Sequence, residues 1–306
     1  MKPFRYLLIL LLALASCSGR VADEEVYVFT SFHEPADEGL RFLYSRDGLS
    51  WDSVPGVWLR PTVGAKVMRD PSIVRGPDGL FRLVWTLAWR GDTGFGYAAS
   101  ADLMNWTEPQ RIPAMDSIAS TQNVWAPELF YDEVEGLYLI VFAACVPDAQ
   151  FELGEEEVNN NHRLYCITTA DFETFSAPAL FYDPGFSCID ATLLKRGDGD
   201  YVMVFKDNTR PERNIRVAFA KAAGGPYGEP SPALTEPFTE GPATCRVGNE
   251  YYIYYDAYRR GDYGAMKTTD FRTFVDATDS VRVPHGHKHG TIFKAPMSVV
   301  EGLLIR

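Results

Sequence analysis

The sequence predicts an all-β fold, a five-bladed β-propeller, and two observations carry this prediction. Short runs rich in Tyr, Phe, Val and Ile alternate with clusters of Gly, Pro, Asp and Asn, while helical periodicity is nearly absent. Five short polar motifs recur roughly 50 to 60 residues apart, which is about the length of one four-stranded blade. Five motifs at this spacing indicate five blades.

Each motif precedes an apolar strand, so we place it at the start of the first strand of a blade. The motifs are Arg69-Asp70-Pro71, Ala126-Pro127-Glu128, Ile189-Asp190-Ala191, Glu240-Gly241-Pro242 and His289-Gly290-Thr291. Only one strand's worth of chain follows the last motif, whereas 26–59 supplies three strands that no motif precedes. The C-terminal strand should therefore pair with the N-terminal strands and close the ring, which leaves no free sheet edge.

A second repeat has the pattern Ser/Thr-x-Asp-x-x-x-aromatic. It occurs at Ser45–Trp51, Ser100–Trp106, Thr169–Phe175 and Thr268–Phe274. An aspartate in a tight turn accepts hydrogen bonds from the backbone that follows it, and the aromatic ring can pack beneath the turn. We interpret this repeat as structural.

The first residues are typical of an export signal. Lys2 and Arg5 precede an apolar run that is much shorter than the roughly 20 residues needed to span a bilayer. Residues 14–17, Leu-Ala-Ser-Cys, resemble the lipobox of bacterial lipoproteins, which implies that Cys17 is lipidated. We expect a signal peptide over 1–17, a short tether over 18–25 and a single propeller domain over 26–306. The protein would be exported to the periplasm, outer membrane or cell surface, with a lipid anchor as its sole membrane contact.

The composition limits the kinds of molecule that the protein can bind. Aromatic residues make up 13% of the chain and the net charge is −12, which excludes a nucleic-acid partner, because phosphate binding needs a basic patch. Neutral carbohydrate is permitted, and we expect a monomer. Four further cysteines could form disulfides or stay as buried thiols, and the sequence leaves both open: Cys145, Cys166, Cys188 and Cys245.

In their order and spacing, the motifs resemble those of glycoside hydrolase family 43, which are five-bladed propellers acting on arabinosides, xylosides and some galactans. The resemblance covers nearly the whole chain after the signal and includes Trp125 before the second motif and Phe205-Lys206-Asp207. It implies that Asp70 is the general base, Glu240 the general acid, and Asp190 the residue that tunes and orients the acid. Inverting hydrolysis needs two such carboxyl groups roughly 6.5 to 9.5 Å apart, a gap that non-adjacent blades can supply. A carboxylate beside Glu240 should also raise its pKa.

Sugar sites add aromatic platforms and a few oriented polar groups. Trp125 and Phe186 precede motif strands, so each could form a platform or belong to the core. Glu128 should bond sugar hydroxyls, or else hold Lys206 or an arginine. Lys206, Asp207 and Tyr258 follow second strands and are further binding candidates. His289 could line the channel, help to hold a central calcium ion, or only bond the closing strand; we expect the reaction itself to need no cofactor.

Other functions also fit parts of the pattern. A retaining fructan-type propeller hydrolase needs an Asn-Asp-Pro-like motif and a Glu-Cys acid, and the chain has neither. Phosphorolysis and non-catalytic, lipid-anchored carbohydrate binding are the remaining alternatives, although a binding protein would not require three carboxylates together. Arabinofuranosyl, xylosyl and galactosyl substrates, and exo or endo action, all fit the motifs. The loop over 33–37 should overhang the funnel from blade five, where Glu34 or Asp37 could reach in.

Overall fold

A computed structural model describes residues 23–154, 156–197 and 199–305. Its strands form five antiparallel sheets whose innermost strands are neighbours around a ring, so the prediction of a five-bladed propeller is confirmed. Cys17, the signal segment and residues 18–22 of the tether lie outside the described residues. Within the described part, no helix has the length and apolar character that crossing a bilayer requires.

The strands follow one another blade by blade. The N-terminal strands are β1 (Glu25–Ser31), β2 (Leu40–Ser45) and β3 (Asp52–Leu59). Blade one contains β4 (Arg69–Arg75), β5 (Phe81–Thr86), β6 (Phe95–Ser100) and β7 (Gln110–Ile112). Blade two contains β8 (Asn123–Asp132), β9 (Leu137–Cys145), β10 (His162–Thr169) and β11 (Ala179–Tyr182). Blade three contains β12 (Cys188–Lys195), β13 (Tyr201–Asp207) and β14 (Ile215–Ala220). Blade four contains β15 (Glu240–Val247), β16 (Glu250–Ala257), β17 (Asp262–Thr268) and β18 (Val275–Asp276), and the closing strand is β19 (Ile292–Pro296). Single turns of 3₁₀-helix lie at Pro147–Ala149, Val158–Asn160 and Thr278–Ser280.

The closing strand β19 completes blade five as predicted. It pairs antiparallel with β1, with Val26 opposite Ala295, and the sheet order is β19-β1-β2-β3. A short helix that the sequence did not predict follows it, α1 (Met297–Leu304). The buried side chains of this helix, Met297, Val300 and Leu303, pack into the core between blades five and one.

The core lies between the blades rather than within one layer. Five clusters of buried apolar residues occupy the five junctions between neighbouring blades. In β5, for example, Leu83 and Trp85 pack toward blade five while Val84 packs toward blade two, because successive side chains of a strand point to opposite faces. Burial on both faces explains why the inner strands are nearly continuous apolar runs.

The aspartate of the second repeat forms the turn that was predicted. In blade one, Oδ1 of Asp102 accepts hydrogen bonds from the backbone N–H groups of Met104 at 2.9 Å and Asn105 at 2.7 Å. The equivalent aspartates of blades two, four and five make the same pair of bonds. The repeat follows the third strand of each of these blades and starts the turn into the fourth.

Blade three differs from the predicted four-stranded pattern, since the structure describes three strands there. The outer position is taken by the segment 228–235, in which Pro230 and Pro232 have no N–H group to donate. The segment still bonds β14 through its backbone, since the N–H of Ser231 donates to the carbonyl of Val217 at 2.8 Å. Oγ of Ser231 in turn accepts from the N–H of Val217 at 3.0 Å. This blade also lacks the turn repeat.

Cysteines and disulfides were left open by the sequence. The structure describes the thiols as free: Cys145, Cys166, Cys188 and Cys245. Burial raises the pKa of Cys188 to about 12, so this thiol stays protonated at neutral pH. These cysteines are therefore packing residues.

Candidate active site

A cavity of about 640 Å³ opens on the face where the innermost strands begin and the second strands end. Its wall brings together residues from all five blades. Seven of the predicted catalytic and substrate-binding residues border it: Asp70, Trp125, Asp190, Lys206, Glu240, Tyr258 and His289.

The innermost strands of blades one to four share a β-bulge beside this cavity. At each bulge one residue has a positive φ: Asp70 (51°), Ala126 (45°), Asp190 (53°) and Gly241 (55°). A bulge bends the strand and redirects the local side chain, so the carboxyl groups of Asp70 and Asp190 are presented at equivalent places. Glu240 instead precedes its bulge residue by one position. A Cβ at Gly241 would lie 2.0 Å from Cγ of His289, so only glycine fits there.

Asp70 is held by both of its carboxylate oxygens. The hydroxyl of Thr86 donates to Oδ2 at 2.7 Å, and Nε2 of His289 lies 2.7 Å from Oδ1. Thr86 is itself fixed, because its Oγ1 accepts from the N–H of Ala126 at 2.8 Å. Burial alone would raise the pKa of Asp70, but His289 and then Arg69 outweigh it and lower the pKa to about 2. Asp70 is therefore ionised at any physiological pH.

His289 carries the matching charge. Burial alone would lower the pKa of this imidazole, but the Asp70 carboxylate raises it to about 9, with help from Asp190 and Glu240. The side chain is buried and is a cation at neutral pH. The floor of the cavity thus contains a fixed ion pair between blade one and the closing segment.

Glu240 and Asp190 form a second, asymmetric group. Nζ of Lys206 donates to Oε2 of Glu240 at 2.8 Å, and the N–H of Gly241 donates to Oδ2 of Asp190 at 3.1 Å. Burial would raise the pKa of Glu240, but the Lys206 ammonium outweighs it and lowers the pKa. Burial raises the pKa of Asp190, and the charge of Glu240 adds to this. The expectation that Glu240 has a raised pKa is therefore wrong for the unliganded protein, because Lys206 is its ion-pair partner.

An aromatic wall stands beside the carboxyl groups. Nε1 of Trp125 donates to the backbone carbonyl of Trp89 at 2.9 Å, and the two rings lie 5.1 Å apart. Trp89 is 59% exposed and borders the cavity, although the sequence analysis did not select it. The other face of Trp125 stacks on the buried ring of His162 at 4.5 Å. Burial lowers the pKa of His162 to about 4, so this support is a neutral imidazole.

Most of the chain matches a known protein family. The family profile of family 43-related glycosyl hydrolases, described as a probable glycosyl hydrolase domain, matches residues 23–298. The chain belongs to this family. The resemblance inferred from the motifs is thereby confirmed.

Individual relatives of this glycosyl hydrolase are distant. Over 150 residues the chain is 29% identical to an α-L-arabinofuranosidase of Bifidobacterium longum subsp. longum, a match that covers 46% of this chain and 14% of that protein. The chain thus spans a small part of that curated relative's length. Two solved structures share the fold: the Lactobacillus brevis α-L-arabinofuranosidase (TM-score 0.52, 21% identity, 68% of this chain and 72% of that one), and the Xanthomonas citri GH43_1 enzyme complexed with xylotriose (TM-score 0.54, 15% identity, the same coverages of 68% and 72%).

Two loops supply much of the remaining cavity wall in this family member, and only the 33–37 loop was predicted to do so. The segment between β9 and β10 contributes Asn159 and Asn160. It is anchored by the fully buried Arg163, whose Nη2 donates to the carbonyl of Glu152 at 3.1 Å. The 33–37 loop does overhang the cavity, where Glu34 accepts from Nη1 of Arg69 at 2.6 Å. Asp37 does not border the cavity.

Glu128 does not occupy the place expected for a sugar contact. It is buried in a narrow channel of about 30 Å³ that the inner strands line beneath the main cavity. The hydroxyl of Thr192 donates to its Oε1 at 2.7 Å, and that of Thr291 lies 2.9 Å from Oε2. The partner is neither Lys206 nor an arginine. Glu128 connects blades two, three and five, and burial raises its pKa.

Two other predicted binding residues also lie away from the cavity. Phe186 packs against the core between blades two and three, with the guanidinium of Arg216 located 5.4 Å from its ring centre. Asp207 is buried and accepts from Nε of Arg216 at 3.0 Å and from the N–H of Thr209 at 3.0 Å. Asp207 therefore shapes the loop that follows β13 instead of meeting the sugar.

The predicted cation near His289 can be tested against the residues present. Ligand atoms of Glu240, Asp256 and His289 lie within 4.8 Å of one another. However, Glu240 is paired with Lys206, and Asp256 accepts from Nζ of Lys288 at 2.8 Å. His289 is engaged as well, because its Nε2 lies 2.7 Å from Oδ1 of Asp70. These residues do not fit a metal ion.

Proposed function

We propose that the protein is an inverting glycoside hydrolase that removes sugars from plant-type polysaccharide. The observation that carries this proposal is the meeting of three carboxyl groups from blades one, three and four in one cavity: Asp70, Asp190 and Glu240. Their electrostatic environments differ: the pKa of Asp70 is lowered to about 2, whereas burial raises the pKa of Asp190, the neighbour of Glu240. The cavity thus holds an ionised carboxylate for the base and a protonated carboxyl group beside the acid. We take α-L-arabinofuranosyl groups as the first substrate, since two relatives are named arabinofuranosidases, with β-xylosyl and β-galactosyl groups next.

Asp70 acts as the general base. Its two oxygens are oriented by Thr86 and His289, yet each keeps a lone pair, because a carboxylate oxygen accepts more than one hydrogen bond. Asp70 holds a water molecule and takes its proton as the water attacks the anomeric carbon. The C–O bond to the leaving group breaks on the opposite face, which inverts the anomeric centre.

Glu240 gives the departing oxygen its proton. In the unliganded protein Asp190 and Glu240 titrate as a coupled pair, with the proton favoured on Asp190 because Lys206 neutralises Glu240. We infer that a bound sugar draws Lys206 away from Glu240, which raises the pKa of Glu240 and moves the proton to it. A second place for the ammonium exists, since Nζ already lies 5.3 Å from the ring centre of Tyr258.

No metal ion takes part in this proposal, because lysines and His289 already balance the carboxylates, and chelation should leave the rate unchanged. We further propose that the protein is a monomer exported to the periplasm, outer membrane or cell surface. A lipid on Cys17 would then be its membrane contact. Cys17→Ser should release the protein from the membrane fraction, whereas a variant that stays there would contradict the anchor.

The experiment that tests the function combines aryl glycosides with product analysis. The protein is incubated with aryl arabinofuranoside, xyloside and galactoside, and early products are followed by proton NMR. Hydrolysis with an inverted anomer is the expected result. A retained anomer would overturn the roles of Asp70 and Glu240. Binding of oligosaccharide without hydrolysis of any substrate would favour a carbohydrate-binding protein, for which the Lys206–Glu240 ion pair is the supporting observation.

A further inference from the structure

The cavity wall is rich in cations although the chain as a whole has a net charge of −12. Its cationic lining residues are Arg69, Arg90, Lys206, Arg210, Arg213 and Lys288. Three of them are neutralised inside the protein: Arg69 by Glu34 at 2.6 Å, Lys206 by Glu240 at 2.8 Å and Lys288 by Asp256 at 2.8 Å. The remaining three cations are arginines, Arg90, Arg210 and Arg213, and they are not neutralised in this way.

These arginines lack a close carboxylate among the residues that the structure describes. No carboxylate oxygen there lies within 4.0 Å of the guanidinium of Arg90 or Arg213. Arg210 approaches Glu156 and Glu157 only at 3.9 and 3.8 Å, beyond hydrogen-bond distance. Nε of Arg213 is buried and has no acceptor. A buried donor without an acceptor costs free energy, so this position is built for a partner that arrives with the ligand.

The backbone fixes Arg213 beside the acid. Its N–H donates to the carbonyl of Thr209 at 3.1 Å, and its own carbonyl accepts from the N–H of Thr239 at 3.0 Å, one residue before Glu240. Arg90 directly follows Trp89 of the aromatic wall. The two guanidinium groups therefore border the space in which a sugar at the cleaved linkage would lie.

We propose that the substrate carries a carboxylate, in the form of a uronic acid residue next to the cleaved bond, and that Arg90 and Arg213 bind it. This inference rests on the proposed function for the position of that bond. The planar guanidinium matches a carboxylate with two parallel hydrogen bonds. An acidic protein repels an acidic saccharide elsewhere on its surface, so local cations are needed to admit one.

The test uses two oligosaccharides that differ in one group. One carries glucuronic acid beside an arabinofuranosyl branch, and the other is its carboxyl-reduced form, in which glucuronic acid has become glucose. Calorimetry with Glu240→Gln measures binding without turnover. The acidic form should bind about 10- to 100-fold more tightly, as expected for charge-assisted hydrogen bonds, and added salt should reduce the ratio. Equal affinities, or no binding of either form, would overturn the inference.

Further substitutions in the Glu240→Gln protein show which arginines cause the difference in affinity between the two oligosaccharides. Arg90→Gln and Arg213→Gln should each lower the affinity ratio, and together bring it close to one, while Arg46→Gln is the matched control. Arg46 is exposed, paired with Glu24 on blade five and outside the cavity. A sulfated analogue that binds in preference to the uronic acid would contradict the carboxylate. If the acidic oligosaccharide binds more tightly but the wild type does not cleave it, the proposed hydrolysis is wrong and this inference stands. If the wild type cleaves both oligosaccharides and binds them with equal affinity, this inference is wrong and the proposed hydrolysis stands.

Discussion

Nε2 of His289 lies 2.7 Å from Oδ1 of Asp70, and this contact joins the segment before the closing strand β19 to β4, the innermost strand of blade one. The pair is buried, and each partner shifts the pKa of the other in the direction that keeps both charged. The proposed base is thus positioned by an interaction that also links blade five to blade one. Folding stability and the state of the site should share one pH dependence.

We predict that His289 makes stability depend on pH in a defined range. Its pKa is about 9 in the folded protein against an ordinary 6.5, so its contribution is fully present below pH 6.5 and is lost as the pH rises through 9. The Asp70 contribution is present above pH 3.8 and is lost as the pH falls through about 2. Between pH 6.5 and 9 the wild type should lose roughly 3 kcal/mol of unfolding free energy.

Urea unfolding at pH 6, 7.5 and 9 measures this slope. His289→Gln keeps an N–H group near Asp70 but cannot be charged, so its stability should vary much less over this range. His285→Gln is the control, because that imidazole is exposed. A wild-type slope that survives in His289→Gln would show that another group titrates.

The second prediction separates the acid from the base by the leaving group. A general acid typically contributes 10² to 10⁴-fold, but only where the departing oxygen needs a proton. Glu240→Gln should nearly abolish cleavage of natural linkages and retain much of the rate on a dinitrophenyl glycoside. Asp70→Asn should slow both substrates in similar proportion, because the water is not activated in either case. Equal losses in Glu240→Gln would mean that Glu240 is not the acid.

The ring, its closure and the cavity position of Asp70, Asp190 and Glu240 could be predicted because each depends on local signals. A polar motif before an apolar run indicates where an inner strand begins, and five such starts indicate five blades. How deep each motif side chain lies in the central channel could not be predicted in the same way. Glu128 belongs to an acidic motif, but it lies two residues beyond its bulge residue, Ala126, and therefore faces the lower channel.

Side-chain contacts between different blades could not be predicted from the sequence either. The pKa of Glu240 depends on a 2.8 Å contact with Lys206, a residue on a different blade. Trp89 lies in a loop with no motif of its own, and its exposure is decided by how Trp125 packs against it. Phe186 and Trp125 both precede motif strands, yet only Trp125 borders the cavity. These outcomes depend on distances that spacing along the chain does not set.

The different positions of Trp125 and Phe186 relative to the cavity give the third prediction. Trp89→Ala and Trp125→Ala should each raise KM by about 2- to 10-fold with a smaller change in kcat, since an aromatic contact contributes about 0.5 to 1.5 kcal/mol beyond burial. Phe186→Ala is the matched control and should leave KM unchanged, because its ring packs in the core. An equal rise in KM for Phe186→Ala would imply that the effect comes from loosened blades.

The last prediction concerns the two neighbours of Glu240, which act on its pKa in opposite directions. A general acid works only while protonated, so kcat/KM falls as the pH rises through the pKa of Glu240. Lys206 lowers that pKa; Lys206→Met keeps the buried stem but removes the charge, so the basic limb of the pH profile should move to higher pH. Asp190→Asn removes a neighbour whose ionised form repels the charge of Glu240, so the same limb should move to lower pH. Lys221→Met, at a lysine that is 87% exposed, should leave the limb in place. If Lys206→Met and Asp190→Asn move the limb in the same direction, the limb does not report the protonation of Glu240, and its assignment as the acid fails.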